Sequence, residues 1–176
     1  LAARDVRDEG FTLSRTYAIL EGTGEAGKVT PGALIQVSLR VVTPVDRHNV
    51  ALIDPLPAGL EPVNTMFKTE ASAYGEDETP DTGGYYGEAS EDDEDLPTWS
   101  AWVFNHRELR DDRVVLYADT MPAGIHTYQY LARATTPGDY SQPAATVEEM
   151  YKPEHFGRTA AGRFIVGEIK PVAKAK

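Results

Sequence analysis

The chain has 176 residues, no cysteine, 41% hydrophobic residues and a formal charge of −11; this suits one domain with a proper core and excludes a disulfide framework, a thiolate metal site and a cysteine nucleophile. Eleven of its 28 acids fall between Glu70 and Asp95, leaving 17 acids against 17 bases elsewhere, so the basic face that phosphate neutralisation demands is missing and nucleic acid is a poor partner. No run approaches the roughly 20 apolar residues of a membrane span, and the opening LAARDVRDEG has neither an initiator methionine nor a basic-then-apolar leader, as expected of a chain whose leader was removed or of a piece of something longer.

FTLSRTYAIL at 11–20 reads as an opening strand. In ALIQVSLRVV, Ile35, Val37, Leu39 and Val41 alternate with Gln36, Ser38 and Arg40, the period-2 signature of a half-buried strand. NVALID, with Val50 and Leu52, reads as its neighbour, followed by RVVLYAD at 113–119 and IHTYQYLARAT at 125–135. In the last of these Tyr128, Tyr130 and Ala132 alternate with Gln129, Leu131 and Arg133, which leaves open the set that faces inward. GRFIVGEI at 162–169 supplies a closing strand. The gaps carry TPG, TPVD, DPLPAG, MPAG and TTPG; proline presets φ and glycine accepts positive φ, so the chain reverses at nearly every gap. Short strands with such turns predict an all-β fold, an antiparallel immunoglobulin-like β-sandwich. SQPAATVEEMY is the one segment with a helical reading, a short turn of helix that Pro153 would end.

Residues 66–96 differ from the rest. The stretch is acidic, contains Gly, Ser and Pro, and is almost free of aliphatics, so it cannot bury enough apolar area to offset its ordering entropy and reads as a long flexible insertion in one domain spanning 1–176. WSAWVFNH follows, where Trp102 and Phe104 read as core or interface anchors.

EDDED at 91–95 offers hard oxygens for calcium, but lacks the D-x-D-x-D-G alternation with a closing glutamate. The four histidines, His48, His106, His126 and His155, have no zinc-ligand spacing. Glu148 and Glu149 with His155 could form an orienter and base, yet Pro153 interrupts the helix that would align them, and no G-x-S-x-G, S-x-x-K or H-E-x-x-H motif occurs. The expectation is therefore no catalytic residue, no metal and no cofactor. In HRELRDDR, Arg107, Arg110 and Arg113 interleave with Glu108, Asp111 and Asp112, a surface ion-pair network of small energetic value that could orient an inter-domain contact.

NVALIDPLPAGLEPVN, FNHRELRDDRVVLYADTMPAGIHTYQYLARATTPGDY and QPAATVEEMYKPEHFGRTAAGRFIV, in this order, resemble the C-terminal macroglobulin-type domain of the bacterial α2-macroglobulin family. The resemblance runs from about Val50 to Val166 apart from the acidic stretch. It implies a non-catalytic sandwich in a very large periplasmic or envelope-associated inhibitor, a trap whose bait region is cut by a protease and whose Cys-Glu thioester, in many members, captures the attacker. With no cysteine here, the thioester must belong to another domain. The implied partners are that thioester domain and, indirectly, target proteases. Trp102, Phe104, His106, Arg110, Asp111, Arg113, Glu149, Tyr151, Phe156 and Arg158 fall in the family's motifs, as inter-domain interface or structural positions, with Tyr151 and Phe156 expected to anchor the last connector. The competing expectation is a free-standing immunoglobulin-like envelope module that binds a surface partner, with calcium in the acidic loop.

Overall fold

The structure, a computed structural model, describes residues 5–63, 98–99 and 103–167. The acidic stretch 66–96 and Trp102 lie outside them. The strands in chain order are β1 (Arg7–Glu9), β2 (Thr12–Glu21), β3 (Gly24–Glu25), β4 (Lys28–Val29), β5 (Leu34–Thr43), β6 (Arg47–Pro55), β7 (Leu60–Pro62) and β8 (Thr98–Trp99). They continue as β9 (His106–Arg110), β10 (Arg113–Met121), β11 (Gly124–Ala134), β12 (Gly138–Gln142), β13 (Thr146–Glu149), β14 (Lys152–Arg158) and β15 (Gly162–Val166).

Three sheets form. A six-stranded sheet has the order β1-β14-β13-β6-β10-β9; a second runs β2-β5-β11-β7 with β8 beside β11; a third runs β12-β15-β4-β3. All long pairings are antiparallel, and the short pairs β8 with β11 and β15 with β4 are parallel. The expected all-β sandwich is what the chain builds.

Alternation decides the core. On β5, Ile35, Val37, Leu39 and Val41 are fully buried, and Val50 and Leu52 on β6 with Val114, Leu116 and Ala118 on β10 meet them in one cluster. Tyr128, Tyr130 and Ala132 join it, which settles the ambiguity on β11. Leu131 on the other side of that strand is buried as well. Phe164 and Val166 of β15 and Val29 of β4 carry the third sheet into the same cluster.

SQPAATVEEMY is not helical. Residues 146–149 are β13, Met150 and Tyr151 form a two-residue turn, and the chain returns as β14. Val147 faces the core, Glu148 faces solvent and Glu149 is buried, so the period is 2; a charged residue at an inward position hid it from the hydrophobic pattern. Pro153 ends no helix. Glu148 pairs with Phe156 and Glu149 with Lys152, so Pro153, Glu154 and His155 form a bulge in β14, where a residue without an N–H leaves no ladder bond missing.

Candidate functional site

The β13–β14 hairpin, beginning with its buried carboxylate, is where the motif residues and the polar chemistry converge. Glu149 lies one residue before the turn and is 3% exposed. A buried carboxylate needs donors on both oxygens. Arg47 Nη1 donates to Oε2 at 3.2 Å, His155 Nδ1 lies 2.6 Å from the same oxygen, and the His48 backbone N–H donates to Oε1 at 3.2 Å. Lys152 Nζ stands 3.9 Å from Oε1.

Local backbone features bring these groups together. Asn49 takes φ 52 inside β6, a left-handed conformation that asparagine tolerates better than other side chains, and the amide just before it is the one that reaches Glu149. The bulge in β14 brings His155 to the carboxylate, correcting the expectation that Pro153 keeps the two apart. Arg47 also donates through Nη2 to the Gly10 carbonyl at 3.3 Å, and its guanidinium lies over the Phe11 ring at 5.2 Å. A Cβ at Gly10, which has φ 101, would stand 2.6 Å from Arg47 Nη2, so only glycine leaves room for this packing. Burial would raise the Glu149 carboxyl, but the bonds from His155 and the His48 amide, the charge of Lys152 and the bond from Arg47 together hold it below its ordinary value.

Above this cluster the turn is bare. Tyr151 is 80% exposed and Met150 43%, so Tyr151 is no anchor of the connector, contrary to expectation: the anchor is the carboxylate beneath it. The Met150 N–H donates to the Asn49 carbonyl at 2.9 Å. The β5–β6 turn carries exposed Val45 at the same end of the sandwich, tied to the β10–β11 turn by the Ala123 N–H donating to Asp46 Oδ1 at 2.8 Å.

The other motif residues divide by face. Phe104 is core, edge-on to Tyr128 with ring centroids 5.9 Å apart. His106, Arg110 and Arg113 share the outer face of the six-stranded sheet with half-buried Phe156 and with Arg158. His106 lies against Tyr117 with centroids at 5.7 Å, Arg110 pairs with Glu108, Arg113 with Asp112, and Arg158 Nε donates to the Asp5 carbonyl at 2.9 Å. Asp111 is exposed in the β9–β10 turn. Gly157 faces inward, where a Cβ would meet the Phe11 carbonyl oxygen at 2.2 Å.

A second buried polar network was not anticipated. Arg15 on β2 and Asp54 on β6 pair across the two large sheets with side chains 2% and 1% exposed. Tyr130 Oη donates to the free Asp54 oxygen at 2.7 Å, Arg15 Nη2 donates to the Pro143 carbonyl at 2.7 Å, and Gln142 Nε2 donates to Tyr17 Oη at 2.9 Å. Burial pushes the Asp54 carboxyl up against the pull of Arg15 and Tyr130, and pushes the Tyr17 and Tyr130 hydroxyls up as well. The signal lay in the period: Asp54 continues Val50 and Leu52, and Arg15 continues Leu13, as charged residues at inward positions.

In chemical terms the hairpin cluster is a holding device. Glu149 uses both oxygens on Arg47, His48 and His155, and the hydroxyl beside Arg47, that of Thr43, donates to the Val45 carbonyl at 2.8 Å. Among the described residues no group of three or more His, Asp or Glu side chains could hold a metal ion, and no helix is long and apolar enough to cross a membrane.

Residues 10–154 match the family model described as the Bacterial Alpha-2-macroglobulin MG10 domain. An alpha-2-macroglobulin homolog of Nostoc sp. is 34% identical over 137 residues, covering 78% of this chain and 6% of that protein. Circularly permutated Ras protein 2 of Dictyostelium discoideum is 32% identical over 166 residues, covering 89% of this chain and 4% of that protein. Among solved structures, native Escherichia coli alpha-2-macroglobulin spanning MG7 to the C-terminus superposes with TM-score 0.66 at 26% identity, over 93% of this chain and 24% of the other. Trypsin-activated alpha-2-macroglobulin of the same organism gives TM-score 0.67 at 25% identity, over 94% and 11%.

Proposed function

Because the chain belongs to the bacterial alpha-2-macroglobulin MG10 domain family, we propose that residues 1–176 are a single non-catalytic domain of a much larger, exported protease inhibitor, periplasmic or envelope-associated. In this reading the domain packs on the parent's thioester domain, helps to hold the resting state, and moves when the bait region is cut. The observation that carries it is the exposed Met150–Tyr151 turn standing on a fully bonded carboxylate. A bare aromatic side chain on a pinned two-residue turn is the kind of rigid anchor that protein contacts favour, and Val45 widens the apolar area at that end. The outer-face residues His106, Arg110, Arg113, Phe156 and Arg158, with Asp111 in the adjoining turn, would serve as structural or rim positions.

The test uses the full-length parent. Tyr151→Ser and Met150→Ser should let a small amine such as methylamine react with the resting thioester faster than in the unaltered protein, without any bait cleavage. Residues 1–176 alone should inhibit no protease. Unchanged amine reactivity in both variants, or stoichiometric inhibition by the isolated chain, would sink the reading.

A second reading, a free-standing immunoglobulin-like module that binds a surface partner, draws support from the match to the Dictyostelium protein, whose name is not that of an inhibitor. Its calcium would sit in the acidic stretch, outside the described residues. Titration calorimetry decides that part, since no heat at millimolar calcium removes it.

A further inference from the structure

The exposed turn and the buried cluster beneath it are joined through the shortest possible connection. Glu149 immediately precedes Met150, Lys152 immediately follows Tyr151, and Glu149 pairs with Lys152 across the hairpin neck. A two-residue turn with both side chains exposed makes few contacts of its own, so its direction depends on what holds the neck. Four groups from two elements hold it: Arg47 and the His48 amide from β6, and Lys152 and His155 from β14, all on one carboxylate. Arg47 in turn reaches the Gly10 carbonyl and approaches the Thr43 hydroxyl at 3.4 Å, fixing the neck to the corner between β1 and β2 and to the end of β5.

We propose that Glu149 is a positioning residue: its carboxylate, clamped by Arg47, His155 and the His48 amide, sets the orientation of the Met150–Tyr151 turn and thereby its competence to dock. This rests on the docking role proposed for that turn. The need for two acceptor oxygens makes the idea specific. A glutamine of the same shape offers one acceptor oxygen and one NH2 donor group, so at least one of the clamping donors would face another donor. His155 contributes through one N–H near the position that an asparagine side-chain nitrogen can occupy, so Asn should replace it where Ala cannot.

Amide hydrogen exchange on the chain tests the clamp directly. In Glu149→Gln and His155→Ala the Met150 amide should exchange at least about tenfold faster, whereas in His155→Asn it should stay within about twofold of the parent sequence. Phe164→Leu, a core change far from the turn, should accelerate core amides such as Leu52 and leave Met150 within about twofold, separating a local clamp from general destabilisation. If Met150 exchange is unchanged in Glu149→Gln, or if Phe164→Leu accelerates it equally, the clamp is wrong. In the full-length parent, Glu149→Gln should raise amine reactivity as Tyr151→Ser does. If Tyr151→Ser raises it and Glu149→Gln does not, the positioning role fails and the docking reading stands. If neither variant nor Met150→Ser changes it, the docking role fails, while exchange still decides whether Glu149 orients the turn.

Discussion

Asp54 and Glu149 occupy equivalent kinds of position, inward-facing sites on strands of the same sheet, yet their surroundings drive them in opposite directions. Asp54 sits in the full thickness of the sandwich, where burial dominates and pushes its carboxyl up. Glu149 sits at the end of the sandwich among four donors and cations, which outweigh its burial and hold it down. Replacing Asp54 by Ala would strand the Arg15 guanidinium, 2% exposed, without its partner; the expected cost is about 3–5 kcal/mol in urea denaturation. A loss below about 1 kcal/mol would show that the pair is not structural. For Glu149 the sign follows from the lowered carboxyl: the folded state binds its proton less readily than the unfolded chain, whose ordinary value is 4.5. Its stabilisation is therefore complete above that value and disappears as pH falls through the folded-state value. The melting-temperature gap between the unaltered chain and Glu149→Gln should be wide near about pH 6 and narrow as the pH falls below the ordinary carboxylate value. A gap independent of pH would contradict the charged clamp.

At the scale of elements, the β13–β14 hairpin is the instructive case. VEEMYKPEH has a proline and two adjacent acids where a strand would be expected to alternate cleanly, and a short helix accounts for those residues more easily than a strand does. The strand wins because Val147 and Glu149 both point inward and Arg47, lying on β6, neutralises the second of them. No local pattern announces that compensation. Pro153→Ala discriminates the two descriptions. In the bulge, alanine should change stability by no more than about 0.5 kcal/mol and introduce no helical band in the far-ultraviolet circular dichroism. A marked rise in helicity or stability would favour the helix. Strands β5, β6, β10 and β11, by contrast, were legible with nearly correct bounds, because their alternation is apolar and uninterrupted over several residues.

For the whole molecule, the three sheets share one hydrophobic cluster. Phe164 links the small third sheet to it, fully buried and edge-on to Tyr17 at 5.4 Å, while Gln142 joins the same tyrosine from β12. Phe164→Ala should therefore cost about 3–5 kcal/mol, and the third sheet should melt together with the large ones in a single transition when unfolding is followed by both fluorescence and circular dichroism. Two separated transitions would mean that the third sheet folds apart from the sandwich.

The order of strands, the turns between them, the aliphatic core and the family motifs are properties of the sequence by itself, since alternation and turn chemistry depend on residues that are near neighbours along the chain. The motif residues were also readable as a set, but not their division between the core, the outer face of one sheet and the tip of a hairpin. That division, and the two buried charge clusters, were decided only by tertiary structure. Arg15 meets Asp54 across 39 positions and Arg47 meets Glu149 across 102, and a charge becomes affordable inside a sandwich only when the fold delivers its partner from another strand.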